Sequence, residues 1–93
     1  MSKITLQGHI VVSDAYLASV QDELPNHIEI TQKEQGCLIF RVSQDTENKN
    51  TFNVYEEFVD RAAFETHQKR VKNSWWGQIT ANAKRHYQIS EDS

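Results

Sequence analysis

Apolar residues in this chain recur with a period of two in four short stretches and with a helical period in two longer ones. The stretches follow in the order strand, helix, strand, strand, helix, strand. In the first, Ile4 to Val12, the residues Ile4, Leu6, Ile10 and Val12 share one side, interrupted by Gly8. Ser13 or Asp14 then supplies an N-cap oxygen, and Leu17, Val20, Leu24, Ile28 and Thr31 carry the spacing of an amphipathic helix. Pro25 removes a backbone donor inside that helix, which predicts a kink or stop near Leu24 and a restart at Pro25. Gly36 is expected to end the helix. Cys37 to Ser43 reads as a second strand, with Leu38, Phe40 and Val42 on one side and Ile39 and Arg41 on the other. The polar run SQDTENKN joins it to a third strand as a long-looped hairpin. Asp60 caps a second helix bearing Ala63, Phe64 and His67 on one stripe, which continues through Val71, Trp75, Ile79 and Ala83. His86 to Ile89 is a short last strand, and SEDS is a frayed tail.

That order is the ferredoxin-like split βαβ plan, an α+β domain spanning residues 1–93 with one antiparallel sheet and its helices on one face. The opposite sheet face mixes Val11, Ile39, Tyr55 and Val59 with His9, Arg41, Asn53 and Glu57. It is too apolar for open water and too polar for a monomer's core, and a homodimer through this sheet face accounts for both features. A chain this short hides only about 60–65% of its unfolded surface, so a second copy would add stability.

Ten Lys and Arg against thirteen Asp and Glu give a formal charge of −3. The basic residues are scattered apart from Lys69, Arg70 and Lys72, which argues against nucleic acid, a partner that needs a clustered positive surface. The short patch reads as a solvated helix end, with attraction of an anionic substrate as the alternative. Cys37 stands alone, which rules out an intramolecular disulfide and a Cys-rich metal site and leaves core filler as its expected role. No apolar run approaches a membrane span, and MSKITLQGHIVV lacks the flanks of a signal peptide, so a cytoplasmic location away from membranes is expected.

The stretch FNVYEEFVDRAAFETH, residues 52–67, is the most informative about chemistry. Strand alternation puts Glu56 on the same face as Phe52, Val54 and Phe58. A buried carboxylate without a partner costs several kcal/mol or protonates, so about that much is at stake in whatever meets it. His67 on the following helix is the expected partner, either as a structural hydrogen bond pinning helix to sheet or as a catalytic pair. His27 falls on the inward stripe of the first helix beside Pro25, where a satisfied core role competes with substrate binding. No His pair has the i, i+4 helical spacing of metal ligands and His9 points to the other sheet face, so no metal is expected. Trp75 and Trp76 stand about 100° apart on a helix, so one covers the core while the other reaches a pocket rim or a partner subunit. Gly8 either leaves room for a flat ligand or marks a bulge.

Two segments carry a family resemblance. EQGCLIFRV resembles the E-x-G-C-x-x-(F/Y) end of the first helix, and FNVYEEFVDRAAFETH resembles the strand-helix pattern Y-E-x-(W/F)-x-D-x-x-A-(F/L)-x-x-H, of the antibiotic biosynthesis monooxygenase family. The resemblance implies a dimeric α+β barrel in which Glu56 and Phe58 line a cavity between sheet and helices and His67 faces it. His27 resembles a histidine found in the branch acting on a phosphorylated signalling molecule. Polyketide-oxidising members place asparagine and tryptophan where this chain has Val54 and Phe58, and haem-degrading members place asparagine where it has Gly8. The implied function is a monooxygenase that needs no cofactor and takes dioxygen and an electron-rich, quinol-like or polyketide-like aromatic. In that reading His67 and Glu56 are catalytic, and His27, Val54, Phe58, Phe40 and Trp75 or Trp76 hold the substrate. No flavin fingerprint, phosphate-cradling loop or haem-attachment motif is present in the sequence. The alternatives are an isomerase or degrading enzyme for a small polar signalling molecule and a non-catalytic dimeric binder.

Overall fold

The computed structural model describes residues 2–92. Its elements are β1 (Ile4–Val11), α1 (Asp14–Gln32), β2 (Cys37–Gln44), β3 (Thr51–Phe58), α2 (Arg61–Lys72), α3 (Trp75–Ile79) and β4 (Lys84–Glu91). All strand pairs are antiparallel and the sheet runs β2-β3-β1-β4, the expected ferredoxin-like topology. Alternation decides which side is buried: Ile4, Leu6 and Ile10 of β1, Phe40 and Val42 of β2, and Phe52, Val54 and Phe58 of β3 form the core beneath the helices. Among the described residues no helix is long and apolar enough to cross a membrane.

Five local expectations are corrected, the last strand among them, since β4 runs from Lys84 to Glu91 and takes in the first residues of the expected frayed tail. Helix α1 runs unbroken through Pro25. Gln21 and Pro25 both lie on its exposed side, where water can take the carbonyl that proline leaves without a donor, while His27 and Thr31 hold the other side in the core. The helix ends at Gln32, and Gly36 lies in the turn beyond it. Ser13 occupies the N-cap position without a side-chain capping bond, and Asp14 Oδ1 instead accepts from Asn50 Nδ2 at 2.9 Å. Leu38 does not join Phe40 and Val42, because a register shift between Cys37 and Ile39 leaves it 54% exposed.

The second helical stretch is two helices. Asp60 caps α2 as expected, accepting from Ala63 N at 2.8 Å. At Asn73 the chain turns, the Ser74 hydroxyl donates to Val71 O at 2.7 Å, and its oxygen accepts from Gly77 N at 3.2 Å, capping α3. A Cβ on Gly77 would lie 2.1 Å from the Val71 carbonyl oxygen, so only glycine lets α3 fold this closely against the end of α2. Gly8 has a similar reason. Pairing is continuous on both sides of it, without a bulge, but a Cβ there would meet the His86 carbonyl oxygen at 1.9 Å. Close approach of β1 and β4, at a φ of +152° that favours glycine, explains the residue.

Candidate functional site

Three elements bring ionisable groups together under the sheet's covered face. The strand period carries Glu56 inward from β3, where it is 7% exposed. The stripe of α2 carries His67 inward to 3% exposure, and the end of α1 leads into the turn that presents Glu34. The His67 ring packs on Phe58 at 4.9 Å and on Phe40 at 5.7 Å between centroids, which fixes its plane.

His67 Nδ1 lies 2.6 Å from Glu34 Oε1, and Arg70 Nε donates to Glu34 Oε2, also at 2.6 Å. Arg70 Nη2 donates to the buried Thr31 hydroxyl at 2.9 Å. Partial burial raises the Glu34 pKa, but the bonds from Arg70 and His67 outweigh it and hold the carboxyl below its usual value. An ionised Glu34 can only accept, so His67 carries its proton on Nδ1 and leaves Nε2 as the basic nitrogen. Burial, only partly offset by the bond to Glu34, pulls the imidazole below its ordinary pKa, so it is a neutral base at pH 7.

Nε2 faces Glu56 Oε1 across 3.8 Å, beyond hydrogen-bond range. The expected Glu56–His67 hydrogen bond is therefore not made, and among the described residues Glu56 Oε1 is buried without any hydrogen-bond partner. Burial first, and the negative charge of Glu34 second, push the Glu56 carboxyl up to about 8. Near neutrality Glu56 is a protonated acid beside a neutral base, a pairing of opposite roles set by environment.

Both groups line a cleft of about 560 Å³, within the ordinary range for small-molecule sites. His27 lines it too, stacked on Trp76 with ring centroids 4.4 Å apart and kept neutral by burial, which pulls its pKa to about 3. Trp76 is buried at 6% exposure and lines the cleft, whereas Trp75 is 55% exposed and is not among the lining residues. Phe40, Val54 and Phe58 are buried in the core and lie outside the cleft lining. Tyr87, whose hydroxyl burial raises to about 12, and Arg85 complete the β4 side.

Glu34 was missed by residue-by-residue reasoning. It stands in the EQGC segment, and His67 and Arg70, three apart on α2, are a pair of donors that needed one acceptor.

A family model described as antibiotic biosynthesis monooxygenase matches residues 4–72. PA3566 from Pseudomonas aeruginosa is 21% identical, with a TM-score of 0.72 over 98% of this chain and 92% of that one. A protein described as antibiotic biosynthesis monooxygenase is 19% identical, with a TM-score of 0.70 over 100% and 97% of the two chains. MupZ from Pseudomonas fluorescens is 18% identical, with a TM-score of 0.71 over 95% of this chain and 69% of that one. At these identities the likenesses show a shared fold. No curated protein sequence matches the chain.

Proposed function

The chain belongs to the antibiotic biosynthesis monooxygenase family, and from that footing we propose that it oxidises an electron-rich hydroquinone or polyketide-like phenol with dioxygen and without a cofactor. The observation that carries this reading is the His67 imidazole, polarised by Glu34 and presenting Nε2 to the cleft beside the neutral acid Glu56. Nε2 takes the phenolic proton, a step for which a positioned base contributes about 10²–10⁴-fold. The resulting anion gives one electron to dioxygen, and the superoxide and substrate radical combine at a ring carbon. The peroxide so formed is protonated, its O–O bond breaks, the distal oxygen leaves as water and the proximal one stays on carbon as a carbonyl. A hydroquinone plus dioxygen thus becomes a hydroxyquinone plus water, with all four electrons supplied by the substrate. Glu56 is the acid for the departing oxygen and is reprotonated when the ring C–H proton is released. Phe40, Val54 and Phe58 hold the dry underside of the site, and His27 with Trp76 forms an apolar wall.

Oxygen uptake with a panel of hydroquinones tests this. Uptake is expected in the wild type and reduced about 10²-fold or more in His67→Ala. Uptake that survives in His67→Ala refutes the assignment of the base.

A neutral acid facing a neutral base also suits keto–enol isomerisation of a small polar substrate. Turnover that proceeds equally in the absence of oxygen would favour that reaction instead. In either case the functional unit is a homodimer through the uncovered sheet face, where Val11, Ile39 and Tyr55 stay half-exposed together.

A further inference from the structure

The cleft is uneven in charge. Its interior is built from Leu6, Ile10, Val71 and Trp76, while Lys72 and Arg85, both exposed, stand at its edge. Glu56 is the one carboxyl among the described lining residues, and burial keeps it uncharged near neutrality. Among the described residues neither Lys72 nor Arg85 forms an ion pair. Arg85 is nonetheless held in place, its Nη2 donating to Thr80 O at 2.9 Å and its Nη1 to Ala83 O at 3.2 Å. Carbonyls fix the guanidinium without cancelling its charge, so the edge of the cleft presents two uncompensated cations. Of the basic patch seen in the sequence, Arg70 is consumed by Glu34 and only Lys72 reaches the cleft. Arg85 stands at the start of β4, beyond the segment that matches the family model.

At the interior end, Glu56 Oε1 lacks a hydrogen-bond partner among the described residues and stands 3.8 Å from His67 Nε2. One ligand oxygen about 2.8 Å from each would satisfy both at once. We infer that the ligand is a hydroxylated aromatic carboxylic acid, its phenolic oxygen lodged between Glu56 and His67, its ring against Trp76, and its carboxylate at the edge with Lys72 and Arg85. The inference rests on the reading of the cleft as the substrate site and narrows the substrate to an organic anion. A planar carboxylate suits the edge of a guanidinium, and the two cations attract it before it enters.

Gentisate, a hydroquinone carrying a ring carboxylate, and its methyl ester separate charge from shape. Binding is read by quenching of tryptophan fluorescence, without turnover, in the wild type, Lys72→Gln and Arg85→Gln. Gentisate is expected to bind at least about fivefold tighter than the ester at about 0.01 M salt, with the advantage shrinking at about 0.15 M as the charges are screened. It should fall below about twofold in Lys72→Gln, whose exposed side chain makes no bond that the fold needs. Arg85→Gln should weaken gentisate more than the ester, with near-UV circular dichroism checking that the Thr80 turn persists. Equal or tighter binding of the ester, failure of both to bind, or an advantage untouched by both substitutions would overturn the inference. Gentisate preference without oxygen uptake would leave the charge assignment standing and remove the monooxygenase reading. Faster oxidation of a tighter-binding ester would do the reverse.

Discussion

His67 donates its Nδ1–H hydrogen bond to Glu34, at 2.6 Å, and makes none with Glu56, which lies 3.8 Å from the other ring nitrogen. That choice sorts the two carboxyls. Glu34, met by Arg70 and His67, stays ionised; Glu56, whose buried Oε1 has no hydrogen-bond partner among the described residues, stays protonated to about 8. One orients the base and the other can donate a proton, although both are glutamates within reach of one imidazole.

Replacing Glu34 by Ala should leave Arg70 and His67 without their acceptor and cost about 1–3 kcal/mol of stability, measured by urea unfolding. The ring should then populate both tautomers, lowering kcat about tenfold or more even where substrate still binds. Nitrogen NMR of the His67 ring reads the tautomer directly. A proton on Nε2 in the wild type would remove Glu34 from the orienting role.

Glu56 should leave a mark on stability as a function of pH. Its folded value of about 8 lies above the ordinary 4.5, so below 4.5 both folded and unfolded chains hold the proton. Between 4.5 and about 8 only the unfolded chain releases it, and the stability owed to the neutral carboxyl is lost as pH rises through that window. Glu56→Gln should remove this loss and be worth on the order of a few kcal/mol more above pH 8 than near pH 5, relative to wild type. His27 and His67, whose values are depressed, lose stability in the other direction, below 6.5, so the difference between the two proteins is the informative quantity. Parallel pH profiles would refute a buried neutral Glu56.

The adjacent tryptophans should behave oppositely. Trp76→Ala removes a buried ring stacked on His27 and should cost about 3–5 kcal/mol, while Trp75→Ala, 55% exposed, should change stability by about 0.5 kcal/mol or less. Thermal or urea unfolding decides it, and ligand quenching of fluorescence should persist in Trp75→Ala.

Sedimentation should give twice the chain mass. Ile39→Glu, on the uncovered sheet face, should halve it without loss of sheet signal in circular dichroism, because a charge there is tolerated in water but not between two apposed sheets. A wild-type monomer would remove the dimer proposal.

Local periodicity was enough to determine the order of the four strands, the place of the first two helices and the inward face of β3, though not the break that makes α3 a separate helix, because side chains alternate strictly along an extended chain. Glu56 had to point under the helices whatever the rest of the fold did. The capping oxygen of Asp60 was legible for the same reason, since its bond closes within three residues. What lies across the chain was not. Glu34 and His67 are 33 positions apart, and nothing short of α2 docking beside the end of α1 tells His67 which carboxyl it will meet. The tertiary structure also decided which tryptophan is buried, because the break at Asn73 and Ser74, and not the spacing of Trp75 and Trp76, sets the direction of α3. Short-range geometry fixes where a side chain points. Only packing of distant segments fixes what it finds there, and the charge states of Glu34, Glu56 and His67 follow from that meeting.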